Sequence, residues 1–233
     1  DNGDVERKFF KDDFSVDSSE NYTLSGGGAL TIDTSAGTAE LSTGHAILDN
    51  SDSFSDGKYS CVVNLDPTVV DDKWIGLVFN RQDESNYYSL QLTRTHSTGN
   101  GYAYVQKTVN GVNNNIIYGG LQVISLDTDY LLEVIVVNGS FSLYVNGVLK
   151  GTATDTTYNS GQFALKGTQD GYFKSVTYLP SISYSDDFTS DTTERYQPVL
   201  GTVAYDGTNK RMNVTTATGA NGKASGRLKS YKF

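Results

Sequence analysis

Three Asn-Gly pairs constrain the fold most: Asn110-Gly111, Asn138-Gly139 and Asn146-Gly147. Each lies between runs in which apolar and polar residues alternate. Asn-Gly suits the two central positions of a tight hairpin, where both residues need positive φ. The flanking runs therefore read as antiparallel strands: "GYAYVQKTV" and "VNNNIIYGG" at the first pair, "YLLEVIVV", "SFSLYV" and "VLKG" at the other two. The same alternation appears in "GKYSCVVNL", "KWIGLVFNRQ", "NYYSLQLTR", "SGQFALKG" and "GYFKSVTYL". In these runs Ile75, Leu77 and Phe79 share one strand face. Tyr88, Leu90 and Leu92 share another, with Tyr87, Ser89 and Gln91 opposite. No segment keeps a helical period. Close-spaced hairpins in a chain of 233 residues predict an all-β fold, a two-sheet antiparallel jelly-roll sandwich.

An internal repeat sets the domain organisation. "DDFSVDSSENY" begins at Asp12 and "DDFTSDTTERY" at Asp186, aligned without a gap. Asp, Asp, Phe, Asp, Glu and Tyr are identical, and three positions exchange Ser for Thr. The second copy is followed by far less chain than the first. The expected organisation is an N-terminal extension (1–11), a complete jelly roll (12–179), a linker (180–185) and the opening strands of a second, similar domain (186–233). Open strands carry unpaired edges. The incomplete copy is therefore a cut fragment, folds back on the first domain, or assembles with another chain through residues 181–233.

Composition excludes some partners. The net charge is −9, and without a basic face no nucleic-acid partner is expected. An anionic membrane surface is disfavoured for the same reason. No run reaches transmembrane length, so no membrane insertion is expected. The start, "DNGDVERKFF", carries no leader peptide and reads as a mature form or a piece of a longer protein. Cys61 is the single cysteine, which rules out an internal disulfide. Its strand-like run makes it a small core residue.

Catalytic signals are weak. The glutamates Glu6, Glu20, Glu40, Glu84, Glu133 and Glu194 are scattered, and Glu133 reads as the polar face of a strand. Only His45 and His96 are available as imidazoles. No nucleophile elbow or phosphate loop occurs. Arg81, Arg94, His96 and tyrosines supply parts for a lyase but no motif. The acidic run "DNSDSFSDG" (49–57) reads as a solvated turn rather than a calcium loop. Sugar binding instead needs flat aromatic faces and planar polar groups. Candidates are Tyr87, Gln91 and Arg81, then Tyr102 and Tyr104 on the next strand, Trp74 at a strand start, and Asn114 in an asparagine-rich loop. The plain alternative is that these tyrosines cover a half-buried sheet as cross-strand pairs.

Residues 12–179 resemble the concanavalin A-like jelly rolls of the laminin-G-like type, a group that includes carbohydrate-binding modules and domains attached to glycosidases. The resemblance rests on the strand pair from Gly76 through Phe79, Asp83 and Asn86 to Tyr87 and Tyr88. It continues through Tyr130 to Gly139, Tyr144 to Gly147, and Ser160 to Leu165. It implies the jelly-roll fold and, without the E-x-D-x-x-E strand of glucan-cleaving relatives, a non-catalytic module binding a polysaccharide or surface glycan. It implies an extracellular or cell-surface location, while the Gly/Ser/Thr/Asn/Tyr-rich composition, the lone Cys and the incomplete repeat fit a virion surface as well. The closing strand reads Phe173-Lys174-Ser175 where the family often has F-D-N/D. That leaves Asp13 and Asp170 as the candidate ligands for a structural calcium. Two alternatives remain: an adhesive or structural building block of a virion surface, fibre or filament, and a polysaccharide lyase or hydrolase.

Overall fold

The structure is a computed structural model. It describes residues 9–48, 53–67, 72–95, 97–120, 122–168 and 171–180, and towards the C-terminus 196–200, 202–206, 208, 211–215 and 225–228. The chain forms two compact units, Asp1–Ser181 and Ile182–Phe233.

The first unit opens with β1 (Phe10–Asp12), β2 (Tyr22–Ser25), β3 (Leu30–Asp33), β4 (Thr38–Leu41) and β5 (His45–Leu48). Long strands follow: β6 (Gly57–Leu65), β7 (Lys73–Asp83), β8 (Asn86–Arg94), β9 (Asn100–Val109) and β10 (Val112–Tyr118). After β11 (Gln122–Val123) come β12 (Tyr130–Val137), β13 (Ser140–Val145), β14 (Val148–Thr154), β15 (Gln162–Gly167) and β16 (Gly171–Pro180). One sheet has the order β14-β13-β12-β6-β16-β4-β3, with β1 also on β16. The other has the order β10-β9-β8-β7-β15-β5-β2, with β11 also on β9. Among the described residues the one helical element is a 3-10 turn, Ser19–Asn21, and no helix is long and apolar enough to cross a membrane. The unit is the two-sheet antiparallel jelly roll that the hairpin spacing predicts. Pairing begins at Phe10, opposite Tyr178, and β16 extends through Pro180.

Each Asn-Gly pair turns a hairpin with positive φ at both residues: 49° and 77° at Asn110-Gly111, 49° and 73° at Asn138-Gly139, 50° and 76° at Asn146-Gly147. The strands they join bury alternate residues between the sheets. An aromatic cluster spans the gap. Tyr59 stacks on Phe79 at 4.9 Å, Phe79 on Tyr88 at 5.7 Å, and Tyr88 meets Phe141 at 5.0 Å. Cys61 lies in this core. Burial pushes its thiol pKa up, so it stays protonated and unreactive. Glu133 sits on the polar face of β12 and pairs with Lys58 at 2.9 Å. The acidic 49–57 run is not merely a solvated turn. Its residues 49–52 lie outside the described residues, but Phe54 is buried and bridges Gly161. A large apolar ring there gains more from the core than from solvent.

The repeated motif has a structural job in its first copy. The buried Asp12 carboxylate accepts hydrogen bonds from Phe14 N at 2.9 Å, Ser18 Oγ at 2.6 Å and Tyr22 Oη at 2.9 Å. Phe14 is fully buried with φ 55°, a conformation uncommon for a bulky residue. The Asp12 bond to its amide helps to hold it there. The matching second-copy residues Asp186, Phe188 and Thr192 lie outside the described residues.

In the second unit the described strands are β17 (Tyr196–Leu200), β18 (Thr202–Asp206), β19 (Arg211–Thr215) and β20 (Ser225–Leu228). Strand β17 pairs β20 from Tyr196↔Leu228, as β2 pairs β5 from Tyr22↔Leu48. Strand β18 pairs β19 with Asp206↔Arg211 beside the turn, as β3 pairs β4 with Asp33↔Thr38.

Asp12→Ala removes three bonds to one charged acceptor and leaves buried donors unpaired, so it should cost about 2–4 kcal/mol of folding stability. Tyr22→Phe removes one bond and should cost about 1 kcal/mol. Urea denaturation of both variants measures the difference.

Candidate functional site

The outward face of the second sheet carries the chemistry. Strand pairing aligns Ser25, His45, Lys166, Gly76, Gln91 and Tyr104 in one row across six strands. The next row runs Thr23, Ile47, Ala164, Val78, Ser89 and Gln106. Small residues at Gly76, Ala164 and Ser89 keep this floor low. A Cβ on Gly76 would fall 1.8 Å from the Leu90 carbonyl oxygen, so no side chain can stand there. Longer side chains from neighbouring positions lie across the floor and bury one another. Ile47, Val78, Tyr87 and Ala164 form a buried cluster separate from the main core.

Of the sequence candidates, Tyr87, Gln91, Arg81, Trp74, Tyr102 and Tyr104 all reach this face. The alternation places most of them, since Tyr88, Leu90 and Leu92 point inward and leave Tyr87 and Gln91 outward. Arg81 arrives by another route. Simple alternation after Phe79 would send it into the core. Asn80 adopts φ 48°, and the β7 register shifts between Phe79 and Asp83. The inserted residue turns Arg81 outward, opposite Gln162. Asn80 is held by Tyr59 Oη, which donates to its Oδ1 at 3.1 Å, and by its own Nδ2, which donates to Tyr158 O at 3.0 Å.

Most of these residues are buried. Tyr87, Gln91 and Arg81 are 6%, 3% and 6% exposed. They are packed by mutual contacts. Tyr104 Oη donates to Gln91 Oε1 at 2.9 Å, and Gln91 Nε2 donates to Ser89 Oγ at 2.6 Å. Trp74 and Tyr102 are half-buried. Tyr102 meets Tyr104 at 5.9 Å and Tyr118 at 4.7 Å. Tyr118 is exposed, and a bulge between Asn115 and Ile117 sets it opposite Tyr104. Asn114 does not join the face. It pairs with Lys107 on the core side of β10, while Asn113 and Asn115 flank it on the outward side. There Asn115 Oδ1 accepts from Gln106 Nε2 at 2.9 Å.

Five further residues complete one end of the face. Lys166 Nζ donates to Tyr87 Oη at 2.9 Å and lies 4.8 Å from the Tyr87 ring centroid and 5.0 Å from that of Trp74. Arg81 donates to Gln162 Oε1 at 2.6 Å and to His45 Nδ1 at 3.4 Å. His45 also meets the Tyr87 ring edge-on at 5.1 Å. Ser25 Oγ contacts the Glu84 carboxylate. Burial, then Lys166 and then Arg81 push the His45 pKa down from 6.5 to about 4. The alternation in "SGQFALKG" could have flagged Gln162 and Lys166. Nothing local flags His45, because every residue of β5 is buried.

The calcium expectation meets a different geometry. Asp13 is exposed, and its oxygens accept from Ser15 N, Ser15 Oγ and Lys11 Nζ. The Ser15 hydroxyl and then Lys11 lower its pKa to about 2. That is a turn-forming aspartate beside an ammonium. Asp170 and His96 lie outside the described residues. Among the described residues no group of three or more His, Cys, Asp or Glu is placed to hold a metal. Lys174 pairs with Asp129 at 2.8 Å.

No protein-family profile matches the chain, and no curated protein matches it. Solved structures do. A carbohydrate-binding module, CBM66 from Bacillus subtilis, is 21% identical with a TM-score of 0.53, covering 67% of this chain and 91% of that one. The Bacillus licheniformis beta-glucanase is 14% identical with a TM-score of 0.53, covering 74% and 98%. The CBM2 module of the Lactobacillus casei BL23 phage J-1 evolved Dit is 10% identical with a TM-score of 0.53, covering 76% and 96%. The chain thus has the concanavalin A-like jelly-roll fold, of the kind that carbohydrate-binding modules and glycosidases both use.

A histidine buried neutral stabilises the fold above its unfolded pKa. As pH falls from 6.5 towards 4, the unfolded chain takes up a proton that the folded chain does not, and stability drops. His45→Gln should remove that part of the slope. Urea midpoints of the two proteins across this interval should converge as pH falls.

Proposed function

We propose that the first unit is a non-catalytic glycan-binding module whose ligand lies on the outward face of the second sheet. The observation that carries this reading is the convergence on one face of an aromatic group and planar amides. The aromatic group is Trp74, Tyr102, Tyr104 and Tyr118, and the amides are Gln91 and Gln106. Aromatic rings take the C–H faces of sugars, and amides take their hydroxyls. The shared fold of the two carbohydrate-binding modules supports it. A glycosidase needs two facing carboxylates, and the two central rows contain no aspartate or glutamate among the described residues. A polysaccharide ligand makes the expected location extracellular, on a cell surface or on a virion surface.

Affinity electrophoresis against a polysaccharide panel tests this reading. Trp74→Ala should weaken binding tenfold or more, and Asn114→Ala should leave it unchanged. Equal retention of Trp74→Ala and wild type on every retarding polysaccharide would refute it.

One observation favours a second reading, an assembly element within residues 181–233. Strands β4 and β5 each have two neighbours, whereas β19 and β20 each have one among the described strands. Edges of that kind accept further strands. If this holds, the full chain should form a defined oligomer by light scattering, and a chain ending at Pro180 should be monomeric. Two monomers would remove the assembly reading.

A further inference from the structure

The end of the face formed by Arg81 and Lys166 has a charge problem that neutral sugars do not solve. Arg81 is 6% exposed and Lys166 is 9% exposed. Neither has a carboxylate within ion-pair distance among the described residues; the described ion pairs use Lys11, Lys58, Lys107 and Lys174. Their partners are neutral: Gln162, His45 and Ser25 for Arg81, and Tyr87 with two ring faces for Lys166. Glu84, which reaches Arg81 through Ser25, and Asp83 favour the charged guanidinium, yet burial outweighs them and pushes the Arg81 pKa down. A buried cation costs free energy unless an anion or a full set of hydrogen-bond acceptors meets it. Both cations lie close enough to His45 to act on it: burial first, then Lys166 and then Arg81, push its pKa down.

We propose that this end of the face binds an anionic group carried by the glycan, a carboxylate or a sulfate ester. The inference rests on the glycan-binding reading and deepens it by naming the ligand class. The guanidinium presents a planar fork suited to two oxygens of one anion. Lys166 adds a point charge from the next strand, β15, and its aromatic flanks exclude water from the pair. Strand β7 supplies Arg81 only because Asn80 turns it outward, so the fold departs from strand regularity at the position that delivers this charge. The remainder of the sugar would extend towards Gln91 and Tyr104 along the same row.

Matched charged and neutral probes test the proposal on the wild-type protein. Oligogalacturonides and their methyl esters form the carboxylate pair. Carrageenan oligosaccharides and neutral agaro-oligosaccharides form the sulfate pair. Calorimetry should show the charged member of one pair bound at least about tenfold more tightly, because hydrogen bonds between charged partners are stronger than neutral ones. The pair showing the preference identifies the anion. Lys166→Gln and Arg81→Gln should each abolish that preference, with far-ultraviolet circular dichroism and urea midpoints confirming that the variants fold. Equal affinity for charged and neutral members of both pairs would overturn the proposal. So would binding of a neutral glycan that both substitutions leave intact, an outcome that keeps the glycan-binding reading standing. No binding to any member of a broad glycan panel would overturn both.

Discussion

The aromatic packing between the sheets is what the rest of the first unit depends on. Tyr59, Phe79, Tyr88 and Phe141 come from β6, β7, β8 and β13 and meet ring to ring. Once these rings point inward, a two-residue period leaves no choice for their neighbours. Tyr87, Ser89 and Gln91 must face outward, opposite Gly76 and Val78 of β7 and Thr108, Gln106 and Tyr104 of β9. A one-residue slip of β8 would bury Tyr87 and Gln91 in the core and expose Leu90. The energetic penalty of that exchange fixes the register, and the register fixes the outward face.

Asn80 is the local exception that the same core makes tolerable. Its left-handed backbone is strained for most residues, and Asn is among those that adopt it. Its amide is tied to Tyr59, a member of the aromatic cluster, so core and bulge support each other. The bulge reverses the parity of β7 and delivers Arg81 to the outward face. The positively charged end of the site is thus a consequence of a packing detail one residue away.

Much of this was legible in the sequence. The Asn-Gly turns mark hairpins because few residue pairs accept positive φ twice. Alternation separates Tyr88, Leu90 and Leu92 from Tyr87 and Gln91 without any knowledge of partners. Other features were not legible. The outward turn of Arg81 and the placement of Tyr118 depend on bulges, and a bulge leaves no simple periodic mark. Asn114 is not distinguishable from its neighbours, because a run of three asparagines hides which one faces which side. His45, Gln162 and Lys166 join Arg81 through pairings of β15 with β5 and β7, between segments far apart in the chain. The heavy burial of the site follows from the low floor at Gly76 and Ala164, which only the sheet order reveals.

Trp74 is the single tryptophan in the chain, and it sits on the outward face beside Lys166. Its fluorescence therefore tests the central claim most directly. Titrating a glycan that the protein retains should change Trp74 emission with the same saturation curve that calorimetry gives. Saturable binding that leaves Trp74 emission unchanged would place the ligand elsewhere and contradict the account.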